Sequence, residues 1–297
     1  MGTGEKLVLM KTIKGQPIYY LQKDGVLYPP LPDYSSHLKN VRNFRCEPDD
    51  VWICGYPKSG NHWMWEVVQM ILKGKAEFAT EFMEKFLIDF ESLDSPFLTA
   101  KSRRILVSHL PRKHVPYSMF QKGIKIIYVV RNPKDVSVSA YNHLSSVTDD
   151  FRWISFSEYL DLLLQGKVYY GDWYDHVTTW IQAALANPNI LIVKYEDMKR
   201  DLYGQVRRVA GFLRQNPGEQ TIEDIANACT FENMKGKKTE CKDKWREDGL
   251  ISSVYRKGEV GDWRNWFTPE ESREFDENHR RKMASCKFSV DFTLDVD

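Results

Sequence analysis

Four short apolar runs constrain the fold of this chain more than any other feature of its sequence. They are rich in β-branched residues and show no strict alternation of apolar and polar positions; they are Val51–Cys54, Arg104–Ser108, Ile124–Val130 and Ile190–Val193. Runs of this kind are typical of parallel strands that are covered on both faces. The sequence therefore predicts a parallel sheet that is buried in the interior of the protein.

Segments with helical periodicity lie between and after these runs. Apolar residues recur at helical spacing over 63–72 and over 202–213. Pro133 and Pro269 can each occupy the first turn of a helix, where the missing N–H has no intrahelical role. Thr221 is followed three residues later by an acidic residue, a pattern that predicts the N-cap of another helix.

The alternation of strands and helices predicts an α/β fold, a single doubly wound domain over residues 1–297 with a central parallel sheet. Ligands of such sheets bind beyond the carboxyl ends of the strands. Gly55, His109, Arg131 and Tyr195 all fall at the predicted ends. We therefore expect the functional residues to gather at this edge.

Composition limits the classes of partner. The chain has 297 residues, of which 42% are apolar, and 42 basic against 41 acidic side chains give a net charge of +1. A nearly neutral chain has no overall field that would attract nucleic acid or an anionic membrane, so an anion site must be local. The sequence shows no secretory signal, no apolar stretch long enough to span a bilayer and five widely spaced cysteines. We expect a cytoplasmic protein that binds neither nucleic acid nor membrane.

The stretch GYPKSGNH at 55–62 follows the first predicted strand and has the glycine frame of a phosphate-binding loop. A strand, a glycine-bracketed turn and a helix present backbone N–H groups to an anion, and Lys58 adds a positive charge. Nucleotide triphosphatases place Lys and a metal-binding Ser or Thr after the second glycine, where this chain has Asn61 and His62. The loop predicts a phosphate site without magnesium, suited to a sulfuryl group; the alternative is an ordinary βα turn.

Three further segments carry residues suited to anion chemistry. Arg131 and Ser139 predict a second anion pocket, unless they are a strand cap and a surface serine. The basic, glycine-rich segment 255–263 predicts a flexible flap over an anion, or a solvated loop. His109 at a strand end can take a proton from a substrate hydroxyl near neutral pH, although a capping or core histidine is the simpler alternative.

Taken together, the motifs resemble the cytosolic sulfotransferases, which transfer a sulfuryl group from 3′-phosphoadenosine 5′-phosphosulfate (PAPS) to small hydroxyl or amine acceptors. The matching stretches occur in the same order along most of the chain. They are YPKSGNHW at 56–63, SHLP at 108–111, RNPKDVSVS at 131–139, KYEDMKRD at 194–201, CTFENMK at 229–235 and RKGEVGDW at 256–263.

The resemblance implies PAPS as cofactor, adenosine 3′,5′-bisphosphate (PAP) as product, and no metal. It assigns the catalytic roles to His109 as base, to Lys58 on the departing bridging oxygen, and to Ser139 as a partner of Lys58 that limits PAPS hydrolysis. It assigns the 5′-phosphosulfate to the loop residues Lys58, Ser59, Gly60, Asn61, His62 and Trp63. The 3′-phosphate goes to Arg131, Ser139, Arg256, Lys257 and Gly258, and the adenine pocket to Trp63, Tyr195, Thr230, Phe231 and Met234.

The acceptor pocket is expected to be lined by aromatic side chains. Its candidates are Phe82, Phe86, Tyr141, His143 and Trp245, and this aromatic set favours a small phenolic or catecholamine-like acceptor. Asp89 or Glu91 could face an acceptor amine.

The chain departs from the family pattern at several positions. Asn61 and His62 stand where two threonines are usual. Val107 and Cys229 also differ from the residues that are usual there, and so does the segment from 264 to 273, which corresponds to the dimer contact of the family. We expect a monomer or a weak homodimer.

Two other functions remain open at this point. One is a P-loop-type kinase of small molecules, which Asn61 and His62 disfavour because they are poor ligands for magnesium. The other is a non-catalytic nucleotide-binding relative whose site has decayed. The joint presence of Lys58, His109 and Arg131 favours the active sulfotransferase.

Overall fold

The computed structural model describes residues 6–121, 123–240, 254–284 and 286, with the side chains of 238–240 excluded. Trp245, an acceptor candidate, lies outside the described residues. The strands are β1 Lys6–Lys11, β2 Pro17–Lys23, β3 Val26–Tyr28, β4 Val51–Gly55, β5 Ile105–Ser108, β6 Lys125–Val130 and β7 Ile190–Lys194. The first helices are α1 Tyr34–Arg42, α2 Asn61–Lys73, α3 Pro133–Val147, α4 Asp149–Arg152, α5 Phe156–Leu164 and α6 Trp173–Ala186. They are followed by α7 Tyr195–Arg200, α8 Leu202–Phe212, α9 Glu219–Ala228, α10 Phe231–Glu240 and α11 Pro269–Met283.

The described residues divide into two compact units, each of which draws on separate parts of the chain. The described residues of the first unit fall within Met1–Ser35, Asn132–Ile181 and Lys244–Asp297. Those of the second unit fall within Ser36–Arg131 and Gln182–Asp243. The prediction of one sulfotransferase domain over the whole chain stays a prediction.

The second unit is built on the parallel sheet that the apolar runs predict. Its strand order is β5-β4-β6-β7, and every neighbouring pair is parallel. All residues of β4 and β5 are buried, as expected for strands covered on both faces. The α/β fold class is confirmed, and the strands end within one or two residues of the predicted positions.

A buried ion pair fixes the amino-terminal edge of this sheet. Arg104, the residue before β5, donates from Nε to Asp50 Oδ1 at 2.8 Å and from Nη2 to Asp50 Oδ2 at 2.5 Å. The same guanidinium donates to the carbonyl of Leu98 and lies over the ring of Phe44. Because both charged groups are almost fully buried, each depends on the other to offset the loss of its hydration.

The first unit contains a three-stranded antiparallel sheet that the sequence analysis missed. Its order is β1-β2-β3, and the turn between β2 and β3 is Asp24-Gly25 with φ angles of 48° and 79°. An Asp-Gly pair with positive φ at both residues is a strong hairpin signal. The Asp-Gly signal was present in the sequence. Strand β1, however, carries apolar residues on both of its faces, so it lacks the alternation of apolar and polar residues that marks a strand.

The helix predictions hold at most positions. Helices α3 and α11 begin at Pro133 and Pro269, and Thr268 caps α11 through a capping box with Glu271. The predicted N-cap at Thr221 is wrong, because α9 already begins at Glu219. The two residues before Thr221 are Glu and Gln, which are good helix formers and extend the helix upstream. None of the helices in the described part of the chain is long and apolar enough to cross a membrane.

Candidate active site

The carboxyl edge of the parallel sheet gathers the predicted site residues of the second unit. Strand β4 runs into the loop at 55–60, and β5 ends directly before His109. Strand β6 ends directly before Arg131, and β7 is followed by Tyr195 at the start of α7. Because neighbouring parallel strands end at the same edge, four segments distant in sequence converge there.

The loop after β4 has a backbone that requires glycine. Lys58 and Gly60 have φ angles of 68° and 109°, both in the region that side chains disfavour. A Cβ atom at Gly60 would lie 2.8 Å from the ring of Tyr195. A Cβ at Gly55 would lie 2.6 Å from Asn61 Oδ1 and 2.7 Å from the carbonyl of Val129. The two glycines therefore permit both the turn and its close packing against the sheet.

The start of α2 offers donors to an anion. Gly60 is the N-cap and supplies no side-chain cap, so the N–H groups of the first turn are left to other acceptors. The hydroxyl of Ser59 is buried and has no hydrogen-bond partner among the described residues. Lys58 is half-buried in the same loop. A buried hydroxyl without a described partner, the N–H groups of a first turn that lacks a side-chain cap, and an ammonium fit the phosphosulfate end of PAPS.

Tyr195 connects this loop to Arg131. The Tyr195 ring is 6% exposed and packs edge-to-face against Trp63, with ring centroids 5.3 Å apart. The guanidinium of Arg131 lies 4.2 Å from the centroid of the same ring and donates from Nη1 to the carbonyl of Lys58 at 3.3 Å. The tyrosine thus holds the loop and the arginine in one packed arrangement.

The residues assigned to the adenine pocket also lie in the second unit. Trp63 donates from Nε1 to the carbonyl of Cys229 at 2.7 Å, which joins the start of α2 to the end of α9. Thr230 precedes α10 and accepts from the N–H of Asn233 at 3.4 Å. Phe231 is half-buried and Met234 is buried. The structure brings Trp63 into contact with Tyr195 and with the segment that carries Thr230, Phe231 and Met234.

The backbone of His109 is held by a buried carboxylate. Asp89 is fully buried; its Oδ1 accepts from Ser108 Oγ at 2.7 Å and its Oδ2 accepts from the N–H of His109 at 2.9 Å. The expectation that Asp89 could face an acceptor amine is wrong, because the structure uses this carboxylate to position the histidine. Glu91 is half-buried and its proposed role stays a prediction.

The imidazole of His109 faces two groups at its Nδ1 atom. Nδ1 lies 2.9 Å from the carbonyl of Gly55 and 2.9 Å from Nδ2 of Asn61. Burial lowers the pKa of His109 to about 4, and the positive charges of His62 and Lys58 act in the same direction. The Gly55 carbonyl and the negative charge of Glu84 act to raise this pKa and do not reverse the shift. The ring is therefore neutral near pH 7, as a general base must be.

A second titratable pair lies beside His109 and was not found from the sequence. His62 Nε2 is 3.2 Å from Oε1 of Glu84. Burial acts to raise the pKa of Glu84, but the charge of His62, its hydrogen bond, a backbone hydrogen bond and the charge of His109 together lower that pKa. Glu84 lies on a short 3-10 helix, Met83–Phe86, which no periodic pattern predicts.

The first unit holds the remaining residues assigned to the 3′-phosphate. Arg256 Nη2 and Lys257 Nζ each lie 2.6 Å from a different oxygen of Asp262. Burial acts to raise the pKa of Asp262, but its hydrogen bonds, chiefly from Lys257, lower it to about 2. The N–H groups of Gly261 and Trp263 donate to Asp135 on α3. Two buried carboxylates thus hold the basic segment, and its predicted role as a flap over an anion stays a prediction.

The other predicted residues of the first unit are Ser139, Gly258, Tyr141 and His143. Ser139 is half-buried on α3, and Gly258 has a φ of 67° in the basic segment. The hydroxyl of Tyr141 donates to the carbonyl of Ile154 at 3.0 Å, and its ring packs against aromatic neighbours. His143 is half-buried.

The acceptor candidates of the second unit are half-buried aromatic residues. Phe82 directly precedes the short helix that carries Glu84, and Phe86 is the last residue of that helix. The ring of Phe86 packs against those of Trp65 and Phe97, with centroids 5.6 and 5.5 Å away. Part of the ring surface that would meet an acceptor is therefore already used in packing.

Comparison with known proteins gives a consistent result. The family model described as sulfotransferase domain matches residues 48–287. Mouse sulfotransferase 1E1 is 36% identical over an alignment of 276 residues, and the match covers 89% of this chain and 92% of that relative. Human sulfotransferase 1C2 is 32% identical, with 95% of this chain and 98% of that relative covered.

A solved structure agrees with the sequence relatives. The crystal structure of mouse sulfotransferase SULT7A1 in complex with PAP has a TM-score of 0.75 and 30% identity, and the match covers 89% of this chain and 94% of that one. The resemblance first drawn from six short motifs thus extends over the fold and most of the sequence. The chain belongs to the sulfotransferase family and is a sulfotransferase enzyme.

Proposed function

We propose that this sulfotransferase uses PAPS as donor and sulfates a hydroxyl or amine of a small, phenolic or catecholamine-like acceptor. One observation carries the proposal: the lysine-bearing loop and the imidazole of His109 meet at the Gly55 carbonyl, which lies 2.9 Å from His109 Nδ1. The donor is supported by the PAP bound in the solved relative SULT7A1. It is also supported by the first turn of α2, which lacks a side-chain cap, and by the Ser59 hydroxyl, which has no hydrogen-bond partner among the described residues.

PAPS, when bound, supplies an electrophilic sulfuryl group with a phosphate as its leaving group. The N–H groups at 61–63 and the hydroxyl of Ser59 hold the phosphate end in place. The ammonium of Lys58 stabilises the negative charge that develops on the departing oxygen. The neighbourhood of Lys58 and His109 is supported by the effect of the lysine charge on the pKa of that histidine.

His109 takes the proton of the acceptor hydroxyl. When Nδ1 carries a proton and donates to the Gly55 carbonyl, the lone pair of the ring lies on Nε2 and can accept the hydroxyl proton. Asp89 keeps the backbone of His109 in position through its bond to the N–H. The oxygen that loses its proton would form the new bond to sulfur, while the bond from sulfur to the bridging oxygen would break and leave its electron pair on the 5′-phosphate of PAP.

The remaining assignments are proposals that rest on the family resemblance. Trp63, Tyr195, Thr230, Phe231 and Met234 bind adenine, supported by the packing of Trp63 on Tyr195. The 3′-phosphate is assigned to Arg131, Ser139, Arg256, Lys257 and Gly258, and Ser139 is assigned the restraint of Lys58. The acceptor contacts are assigned to Phe82, Phe86, Tyr141 and His143. We also propose a cytoplasmic location and a monomer or weak homodimer.

The test combines binding and turnover. Purified protein is mixed with PAP in a thermal-shift assay and with sulfur-labelled PAPS and a panel of phenols and phenolic amines. We expect PAP to raise the melting temperature and at least one phenol to be sulfated. PAP binding without transfer to any acceptor would support the non-catalytic alternative, whereas magnesium-dependent ATP consumption would support the kinase.

The role of His109 is tested with a matched histidine. We expect His109→Ala to lower kcat by about 10²–10⁴-fold, the usual contribution of a general base, while PAP binding is retained. His37→Ala is the control, because His37 is also in the second unit and its Nε2 atom contacts the carbonyl of Ile88 at 2.8 Å. Equal turnover of the two variants would remove His109 from the reaction.

A further inference from the structure

We propose that Asn61 is a positioning residue that restrains the base: its amide nitrogen faces Nδ1 of His109 and favours the tautomer with the proton on Nε2. In that tautomer the ring has no lone pair to offer at the atom that should accept the hydroxyl proton. Asn61 therefore slows the reaction unless its amide moves away from the ring. The inference rests on the proposed role of His109 as base.

The geometry around Asn61 is compact and buried. The residue is 3% exposed, and its Nδ2 atom lies 2.9 Å from His109 Nδ1 and 3.3 Å from the carbonyl of Gly55. His109 Nδ1 and the same carbonyl are 2.9 Å apart. An amide nitrogen, an imidazole nitrogen and a carbonyl oxygen thus form a triangle in which every edge is within hydrogen-bond distance.

The proton count of this triangle decides the tautomer. An amide nitrogen only donates, and it has two N–H groups. With the ring proton on Nε2, one amide N–H donates to Nδ1 and the other to the Gly55 carbonyl, so both donors and both acceptors are used. With the ring proton on Nδ1, the carbonyl receives two donors and one buried amide N–H faces another N–H. A buried donor without an acceptor is costly, which favours the first arrangement.

A rotated amide does not remove the restraint. Rotation by half a turn would place the Asn61 oxygen beside Nδ1, where it could accept from an Nδ1–H. It would also move the amide nitrogen to the present position of Oδ1, which is buried and has no hydrogen-bond partner among the described residues. Two buried N–H groups would then lie where a single oxygen lies now. The orientation with nitrogen toward His109 is therefore the favoured one.

The charged groups near the ring act together with Asn61. The positive charges of Lys58 and His62 oppose protonation of His109, and the negative charge of Glu84 supports it. An amide donor at Nδ1 also opposes the imidazolium, because that form carries a proton on both ring nitrogens. Removal of the donor should therefore raise the pKa of His109 as well as shift its tautomer.

The experiment reads the tautomer directly in the protein without nucleotide. Histidine labelled with 15N gives nitrogen NMR shifts that distinguish protonated from unprotonated ring nitrogens, and His109→Gln assigns the signal. We expect the wild-type ring to carry its proton on Nε2 near neutral pH. We expect Asn61→Asp, whose carboxylate only accepts, and Asn61→Ala, which has no donor, to move the proton to Nδ1.

Turnover provides the second readout. At saturating PAPS and acceptor we expect Asn61→Ala to raise kcat by about two- to tenfold, the range that one hydrogen bond spans. Asn43→Ala is the control: Asn43 is exposed, lies in the same unit, and its side-chain amide donates a long bond of 3.4 Å to the Lys39 carbonyl. It should leave both the tautomer and kcat unchanged.

Two results would overturn the inference. One is a wild-type ring that already carries its proton on Nδ1, a measurement that does not depend on the folding of any variant. The other is an Asn61→Ala protein that folds and shows no rise in kcat. Failure of PAP to bind would instead count against the proposed function, and it would leave the tautomer measurement intact.

Discussion

The pH dependence of stability gives a quantitative test of the environment of His109. The pKa of this histidine falls from 6.5 in its ordinary state to about 4 in the folded protein, mainly because the ring is buried. Between these two values the unfolded chain binds a proton that the folded protein does not bind. The free energy of unfolding must therefore fall as the pH is lowered through this window, and the stability from this group is fully present only above about pH 6.5.

The size of the effect follows from the two pKa values. The decrease in the free energy of unfolding that is due to His109 is close to zero at about pH 7.5, and it is about 1.3 kcal/mol at about pH 5.5. The His109→Gln variant lacks the titrating group and keeps every other one. We expect acidification over this range to lower the free energy of unfolding of the wild type by about 1.3 kcal/mol more than that of the variant.

The loss of stability of the variant is subtracted from that of the wild type because other groups also destabilise the folded protein as the pH is lowered. Burial lowers the pKa of His279, and the pKa of Glu84 is lowered beside His62. Both contributions are present in wild type and variant, so they largely cancel. Urea unfolding at the two pH values measures the difference where a single transition is seen, and an NMR titration of His109 should give a midpoint near pH 4. An equal loss of stability in the two proteins, or an ordinary midpoint, would refute the argument from burial.

Two further predictions concern the loop and the sheet. We expect Gly60→Ala to abolish PAP binding in a thermal-shift assay, because its Cβ would lie 2.8 Å from the Tyr195 ring at a φ of 109°. Gly211→Ala is the control: no atom lies within 4 Å of the added Cβ in this helix, so this variant should bind PAP like the wild type. We expect Asp50→Asn to lower the free energy of unfolding by about 3–5 kcal/mol, because it leaves the buried Arg104 without its counter-charge. The measurement is denaturant unfolding of wild type and Asp50→Asn. A decrease in the free energy of unfolding of less than about 1 kcal/mol would mean that water screens the ion pair of Asp50 and Arg104.

The parallel sheet and its functional edge could be predicted because their signal is local. Each strand is a short apolar run, and the polar residue after each run falls at the carboxyl end whatever the exact boundary. The position of His109 and Arg131 at one edge therefore followed from strand order in the sequence and from the rule for doubly wound sheets. The β1–β3 sheet escaped because its first strand has apolar residues on both faces, two of which, Leu7 and Leu9, are exposed.

The contacts that tune the site could not be predicted, because they depend on tertiary placement. Asp89 looks like any acidic residue of a loop, and only the fold shows that it is buried against the N–H of His109. Glu84 lies in a single 3-10 turn, and its pairing with His62 joins residues 22 positions apart. The spacing of such residues along the chain carries no signal that would mark them as neighbours.

The two residues after the second glycine of the loop have a joint consequence for the reaction. Asn61 lies 2.9 Å from His109 Nδ1, and His62 pairs with the Glu84 carboxylate, whose charge also acts on His109. Both residues belong to the first turn of α2, whose N–H groups are the donors proposed for the phosphosulfate. Because one helical turn carries both sets of contacts, a displacement of that turn by an anion would alter the surroundings of His109. We therefore expect donor binding and the basicity of His109 to be coupled through α2, and PAP alone to change the nitrogen NMR shifts of His109.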